Sequence, residues 1–169
     1  MSERKLDIAT YMRTANNETL PVLIGIPEDA LGTVVYGEGE GPWSVRDVVG
    51  HLADAEAGLL GQVRRLLAGE ETVPANFDLD RWNRSAVRRR RERTYAQLLD
   101  DIRTAFAEAL ATLEAASDEA LDLVGRHPSG ESLTAEGYFR RMADHRRQHV
   151  ADIRAALTGP EPSPGAEPV

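Results

Sequence analysis

The chain has 169 residues, no cysteine and a formal net charge of −8 at pH 7. This length favours a single domain, the lack of cysteine excludes disulfides and thiolate metal sites, and the acidic balance argues against a general nucleic-acid binder. Any metal site must therefore use nitrogen and oxygen ligands. The sequence shows neither an apolar leader nor an apolar run of membrane-spanning length, so we expect a cytoplasmic protein that binds neither nucleic acid nor membrane.

Apolar residues at helical spacing predict a first long helix. The pattern begins at Leu6 and continues to Ile24, with Pro21 marking a kink or a break. A short helical turn is expected over 27–31. The segment 32–41 mixes glycine with β-branched residues and predicts a loop, whose composition is also compatible with extended chain.

The second long helix has the clearest start signal. Ser44 is a favourable N-cap, and Asp47 three positions later approximates a capping box. The apolar stripe then runs from Val45 to Leu67, which predicts about six turns. His51 lies on the inner side of this helix, one turn after Asp47. We therefore consider two roles for Asp47, a carboxylate that holds the second ring nitrogen of His51 and an ordinary acid of a helix N-terminus.

A connection of mixed character follows. The segment 76–84 combines aromatic and polar residues and predicts a short helix or an irregular crossover. Trp82 and Asn83 are candidates to border a pocket, with packing over the core as the alternative for Trp82. The basic run Arg88–Arg93 predicts a solvated helix entry, and its alternative is an anion clamp for a carboxylated or phosphorylated small substrate.

Two further long helices complete the pattern. Thr94 and Gln97 form a second capping-box motif before a helix that ends near Ala116. A short amphipathic segment and a turn over 125–130 precede the last helix, which begins between 133 and 136 and ends between 157 and 159. We predict one domain over 1–158, an all-α four-helix bundle with one long crossover, and a disordered proline-rich tail over 159–169.

Histidines interrupt the apolar stripe of the last helix. His145 and His149 are four residues apart, so both imidazoles face the same side, about 6 Å apart at Cβ. A buried polar pair needs a partner, and a metal ion is the commonest specific one for neutral imidazoles. His51, on another inner stripe, is the candidate third ligand, whereas His127 lies in the predicted turn. Ordinary packed histidines are the alternative interpretation.

Three neutral imidazoles would leave the charge of a divalent ion uncancelled and one coordination position open. Zinc, nickel and iron all suit such ligands. The sequence has no recognisable nucleophile motif and no identifiable catalytic residue besides the ion. We therefore expect the ion and its small-molecule ligand to supply most of the chemistry.

Three blocks together resemble the DinB/YfiT-like superfamily: Trp43–Glu56, Phe77–Asn83 and His145–Ile153. That superfamily also contains mycothiol- and bacillithiol-dependent transferases and the N-terminal domain of maleylpyruvate isomerase. The resemblance implies an up-down-down-up bundle, often dimeric, so a homodimer is expected here. It also implies one divalent ion held by three histidines, which on this sequence are His51, His145 and His149.

Three functions follow from these expectations. The first is a metal-dependent S-transferase that uses a low-molecular-weight thiol as co-substrate to attack an electrophilic small molecule. The second is a metal-dependent hydrolase that activates water on the ion. The third is a non-catalytic bundle in which the histidines or an ion only fasten the helices. The sequence leaves the substrate and the identity of the metal open.

Overall fold

The computed structural model describes residues 1–37 and 42–159. Its helices are α1 (Glu3–Ile24), α2 (Val45–Leu67), α3 (Leu79–Arg90), α4 (Tyr95–Ala115) and α5 (Ala135–Leu157), with short 3₁₀ turns at Glu28–Ala30 and Glu119–Asp122. Two antiparallel strand pairs join them, β1 (Val34–Tyr36) with β2 (Trp43–Ser44) and β3 (Val124–Arg126) with β4 (Ser132–Thr134). The predicted tail lies outside the described residues from position 160 onward. In the part that is described, each helix is too short or too polar to cross a membrane.

Local capping explains where the long helices begin. The Ser44 hydroxyl accepts from the Asp47 backbone, and the Asp47 carboxylate accepts from the Ser44 backbone. Thr94 and Gln97 form the same reciprocal arrangement before α4. Each box satisfies backbone donors that an open helix end would leave without a partner. Both capping boxes predicted from the sequence are therefore confirmed.

Helix α1 continues through Pro21 to Ile24 without the break that the sequence allowed. Proline removes one backbone donor, and here it does so in the final turn, where little helix remains to be disrupted. The predicted short turn after α1 is present as the 3₁₀ turn. In the segment predicted as a loop, residues 34–36 form β1, which places Tyr36 beside Trp43 of β2.

Side-chain pairs fix the relative directions of the outer helices. Helices α1 and α5 are parallel, because Arg4 near the start of α1 bonds Glu136 at 2.8 Å and Glu18 near its end bonds Arg147 at 2.8 Å. Residue numbers therefore rise together along the two helices. The ion pairs are partly exposed, so they orient the helices more than they stabilise them.

Helix α2 is parallel to α4. A Cβ added at Gly50 would lie 4.0 Å from Leu98, and Arg64 bonds Glu108 at 3.0 Å, so residue numbers rise together along this pair. Two parallel helices need a connection that crosses the length of the bundle, and α3 lies in that connection. The predicted long crossover is thus present, and it contains a helix of 12 residues.

Helix α2 runs opposite to α5. His51 near the start of α2 faces His149 late in α5, whereas Glu56 further along α2 faces the earlier Arg146. With α1 parallel to α5 and α2 parallel to α4, the long helices have the directions up, down, down and up. The all-α four-helix bundle predicted from the sequence is confirmed.

A buried ion pair lies between two apolar clusters of the core. Glu56 is fully buried and Arg146 is 4% exposed. Arg146 Nε donates to Glu56 Oε1 at 2.6 Å, its Nη2 donates to Glu56 Oε2, and its Nη1 donates to Asn16 Oδ1 at 2.7 Å. The guanidinium also lies over the Phe106 ring, with 5.6 Å between Cζ and the ring centroid. This layer ties α1, α2, α4 and α5 together.

The basic run Arg88–Arg93 ends helix α3, whereas the sequence predicted a helix entry. Arg90 Nε donates to Asp54 Oδ1 at 2.6 Å, and Arg93 Nη2 donates to Asp101 Oδ1 at 2.7 Å. Cations are favourable in the last turn of a helix because its exposed carbonyls carry negative partial charge. The run therefore fastens α3 to α2 and α4.

Candidate metal centre

Three histidine side chains converge between α2 and α5. His51 belongs to the second turn of α2, and His145 and His149 lie on successive turns of α5. His145 Nε2 is 3.2 Å from His51 Nε2 and 3.0 Å from His149 Nε2. One nitrogen from each ring lies within 4.8 Å of the other two. The structure thus brings together the three histidines that the sequence singled out.

All three imidazoles are held in the neutral form. Burial, together with a smaller electrostatic effect of His149, lowers the pKa of His51 to about 3. Burial, together with smaller electrostatic effects of His149 and His51, also lowers the pKa of His145 to about 3. The pKa of His149 is lowered by burial as well, although the Asp152 carboxylate opposes this shift. Neutral imidazole is the form that ligates metal ions.

The hydrogen bonds among these rings are incomplete. His51 Nδ1 and His145 Nδ1 are buried, and neither has a hydrogen-bond partner among the described residues. A neutral imidazole has one donor and one acceptor, so three clustered Nε2 atoms cannot all be satisfied by one another. Three lone pairs directed at one divalent ion would satisfy every Nε2 at once. The residues present therefore fit zinc, nickel or iron with an open coordination position.

A tyrosine sets the tautomer of the third histidine. The Tyr36 hydroxyl donates to Asp152 Oδ2 at 2.6 Å and lies 2.7 Å from His149 Nδ1. Because its single proton goes to Asp152, the hydroxyl oxygen accepts from His149 Nδ1, and the lone pair of that ring is on Nε2. Burial and the Asp152 carboxylate raise the pKa of Tyr36, so the hydroxyl stays protonated.

The site predicted from the sequence included neither Tyr36 nor Asp152. The only available signal was that Asp152 follows His149 by three residues, which puts the two on the same side of a helix. Nothing in the sequence indicates that β1 brings a hydroxyl between them. The contact depends on the path of the connection between α1 and α2.

Asp47 has the simpler of its two predicted roles. Its Oδ2 accepts from the Ser44 backbone at 3.0 Å and from the Ser44 hydroxyl at 2.8 Å. His51 Nδ1 has no partner among the described residues, so the predicted support of His51 by Asp47 is not observed. Capping satisfies this carboxylate locally. The Trp43 ring, with its centroid 5.3 Å from that of His51, instead packs against the histidine.

A cavity of about 580 Å³ lies beside the histidines, and all three line it. Trp82 and Asn83, the two candidates for a pocket border, also line it. The Trp82 ring approaches α2 closely, since a Cβ at Gly58 would lie 3.3 Å from it. Helix α3 thus closes one side of the cavity. A volume of this size suits a small-molecule ligand.

Positive charge in the cavity comes from Arg65 and Arg141. The described residues that line it include no aspartate or glutamate. His127, predicted as a loop residue, lies in the β3–β4 turn and lines the cavity as well, although it is not one of the three converging rings. None of the described residues of the run Arg88–Arg93 lines the cavity, so the structure does not support the alternative that this run is an anion clamp for the substrate.

Known proteins share this fold and parts of this sequence. The family model described as the DinB superfamily matches residues 11–153. A protein of Oceanobacillus iheyensis named "putative metal-dependent hydrolase" is 27% identical over 120 residues, covering 70% of this chain and 67% of that protein. The match to the family model extends from within α1 to near the end of α5.

Two solved structures show the same fold. A mycothiol-dependent maleylpyruvate isomerase superposes with a TM-score of 0.74 at 15% identity, over 88% of this chain, which spans only 60% of the isomerase. YfiT from Bacillus subtilis, described as "a probable metal-dependent hydrolase with an unusual four-helix bundle topology", superposes with a TM-score of 0.71 at 20% identity, over 92% of this chain and 87% of YfiT. At these identities the likeness concerns the fold alone. With the family model matching most of its length, the chain belongs to the DinB superfamily.

Proposed function

We propose that this protein is a metal-dependent S-transferase that joins a low-molecular-weight thiol to an electrophilic small molecule. The observation that carries the proposal is the convergence of three neutral imidazoles on a cavity of about 580 Å³ whose described lining has no carboxylate. A divalent ion held by His51, His145 and His149 would retain its charge, and the chemistry it would supply is a lowered pKa of a thiol bound to it.

The residues of the chain prepare the site for that ion. Burial keeps His51 and His145 neutral, so binding requires no loss of protons at neutral pH. Tyr36 holds His149 with its Nε2 lone pair directed toward the other two rings. The indole of Trp43 packs against His51.

The cavity lining favours a thiol over water as the nucleophile. A free thiol has a pKa near 8.5 and free water a pKa of about 15.7, so the same cation would leave a larger fraction of a bound thiol ionised at pH 7. The described lining also has no carboxylate that could assist a water nucleophile as a general base. The volume, at the middle of the range for small-molecule pockets, also exceeds what a water nucleophile and a minimal ester would need.

A hydrolase is the second candidate, and His127 is the observation that favours it. This half-buried imidazole lines the cavity, and burial lowers its pKa below 6.5, so the ring is neutral at pH 7 and can act as a base once its Nδ1 is released from the Ser129 N–H. The names of the Oceanobacillus iheyensis protein and of YfiT also describe metal-dependent hydrolases. In this alternative, turnover needs no added thiol.

Metal analysis combined with a thiol-dependence assay tests the proposal. The purified chain is expected to hold about one equivalent of metal and to accelerate the reaction of monochlorobimane with mycothiol, bacillithiol or glutathione. Chelation should remove this acceleration, and added zinc, nickel or iron should restore it. If the protein hydrolyses a nitrophenyl ester without added thiol, the result would favour the hydrolase over the S-transferase as its function. Loss of stability on chelation without any turnover would indicate a structural ion.

A further inference from the structure

We propose that the cavity selects small molecules that combine an apolar body with a carboxylate, and that Arg141 and His127 bind the carboxylate. The inference rests on the proposed function and names the class of its electrophilic substrate. It concerns a part of the cavity separate from the three converging histidines.

Arg141 lies close to the metal centre along α5. It precedes His145 by four residues, which corresponds to one helical turn, or about 6 Å along the axis. Both side chains line the same cavity. A carboxylate at Arg141 would therefore leave the adjoining part of the same small molecule within reach of the histidines.

The cavity extends along α2, well beyond Arg141 and the three histidines. Residues at helical spacing along one face of α2 line it from His51 to Arg65, which spans about 21 Å of helix axis. Arg65 uses Nε for its bond to the Glu71 carbonyl at 2.8 Å and for its contact with Glu70. Arg65 is thus a second arginine at the far end of the cavity, and it is already paired with Glu70. The length leaves room for a substrate and a thiol along the same cavity.

The ion pair of Arg141 does not prevent ligand binding. Arg141 Nη2 bonds Glu131, and the two side chains are 39% and 56% exposed. Exposed ion pairs of this kind hold together weakly, and a guanidinium has five N–H donors, so the remaining donors can bind a carboxylate. No described acid lines the cavity itself, so the acid partners of its two arginines, Glu131 and Glu70, lie outside the lining.

His127 adds a neutral donor whose tautomer is fixed by its turn. The Ser129 backbone N–H donates to His127 Nδ1 at 3.2 Å, and the Ser129 hydroxyl lies 2.7 Å from the same atom. A backbone N–H can only donate, so Nδ1 carries the lone pair and the proton of the neutral ring is on Nε2. The turn is itself closed by a bond from the His127 N–H to the Glu131 carbonyl at 2.8 Å.

The chemistry of this pair favours a carboxylate over a phosphate. One guanidinium and one neutral N–H match a planar anion of single charge, whereas a phosphate dianion calls for more positive charge. The rest of the lining is strongly apolar and includes Trp43, Phe77, Trp82 and Leu59. Aromatic side chains of this kind bury the body of an arene or alkyl group.

Calorimetric titration of the full chain with 2-naphthoate and with the uncharged 2-naphthamide tests the inference. We expect 2-naphthoate to bind about tenfold more tightly, and Arg141→Gln to abolish most of that preference. Arg103→Gln is the matched control, because Arg103 also forms one exposed ion pair, with Asp100, and lies outside the cavity lining. Helical circular dichroism verifies that each variant is folded.

The titration is repeated after chelation to distinguish carboxylate binding by Arg141 from carboxylate binding by a metal ion. A preference for 2-naphthoate that survives chelation and is lost in Arg141→Gln supports the inference. A preference that disappears on chelation would place the carboxylate on the ion and overturn it, as would an equal preference in Arg141→Gln and Arg103→Gln. Because the readout is binding, the inference can hold even where the thiol assay finds no S-transferase activity, and it can fail where that assay succeeds.

Discussion

The hydroxyl of Tyr36 and Nδ1 of His149 lie 2.7 Å apart, and the histidine is the donor in that bond. The direction follows from the second bond of the hydroxyl, which gives its only proton to Asp152 at 2.6 Å. A strand residue thereby fixes the tautomer of a candidate metal ligand on α5. Such outer contacts orient the ring and raise its basicity as a ligand.

We expect Tyr36→Phe to weaken metal binding by about 10- to 100-fold, since the ring of His149 would lose its acceptor while the three ligands remain. Calorimetric titration of the metal-free variant with zinc measures the change. Tyr95→Phe is the matched control, because Tyr95 is also a half-buried tyrosine whose hydroxyl donates to a single partner, the Leu23 carbonyl, outside the histidine cluster. Equal affinities of the two variants would contradict the role of Tyr36.

We expect His145→Ala to abolish stoichiometric metal binding, because His145 Nε2 lies within 3.2 Å of the Nε2 atoms of both other histidines. His127→Ala should retain the metal, since His127 lies outside the converging group. Elemental analysis gives the metal content, and circular dichroism verifies that both variants remain helical. Full metal content in His145→Ala would remove this residue from the ligand set, and a loss in His127→Ala would add that residue to it.

The sequence predicts the helices and the histidine pair because both depend on local spacing. Capping at Ser44 and Thr94 is decided within four residues, and the shared face of His145 and His149 follows from helical geometry alone. Tertiary contacts follow no such rule. Tyr36 reaches His149 across 113 positions, and no spacing rule covers that separation.

The burial of charged residues is equally difficult to predict from sequence spacing. Arg146 is adjacent to His145 and resembles the exposed arginines around it, yet it is 4% exposed. Its burial depends on Glu56, which lies 90 positions earlier on α2. Burial of a charge is decided by whether a partner is present in the folded chain, and a single sequence does not show the pairing. His127 likewise enters the cavity only through the position of the β3–β4 turn.

The free energy of unfolding of the metal-free protein should fall as the pH decreases from about 6.5. The folded-state pKa of His51 and of His145 is about 3, below the unfolded value of 6.5, so the unfolded chain binds more protons between these values. Each histidine contributes up to about 1.4 kcal/mol per pH unit in that window. We expect urea denaturation at pH 5.5 to give about 2 to 3 kcal/mol less stability than at pH 7.5.

A variant with one ring fewer provides the control for that measurement. His145→Leu removes one of the two strongly shifted groups, so the loss between pH 7.5 and pH 5.5 should be about half as large. The carboxylates Asp122 and Glu136, whose pKa values are lowered by arginine partners, titrate below this window and do not obscure it. An unchanged denaturation midpoint at both pH values would show that the buried imidazoles do not resist protonation.

Breaking the buried ion pair should destabilise the bundle strongly. In Glu56→Ala the Arg146 guanidinium would stay buried without its carboxylate, and such uncompensated charges cost about 3 to 5 kcal/mol. Urea denaturation at pH 7 measures the change. Glu18→Ala, which removes the carboxylate of the partly exposed pair with Arg147, should cost less than about 1 kcal/mol.

The double variant Glu56→Leu with Arg146→Met distinguishes two contributions to the free energy of unfolding: the cost of burying an unpaired charge and the net contribution of the intact ion pair. Apolar side chains would join the two clusters that the pair now divides, and such replacements are often neutral or stabilising. We therefore expect the double variant to regain most of the stability lost in Glu56→Ala. A double variant as unstable as Glu56→Ala would instead mean that the bonds of Arg146 to Glu56 and Asn16 give the bundle net stability, because no buried charge would then remain to explain the loss.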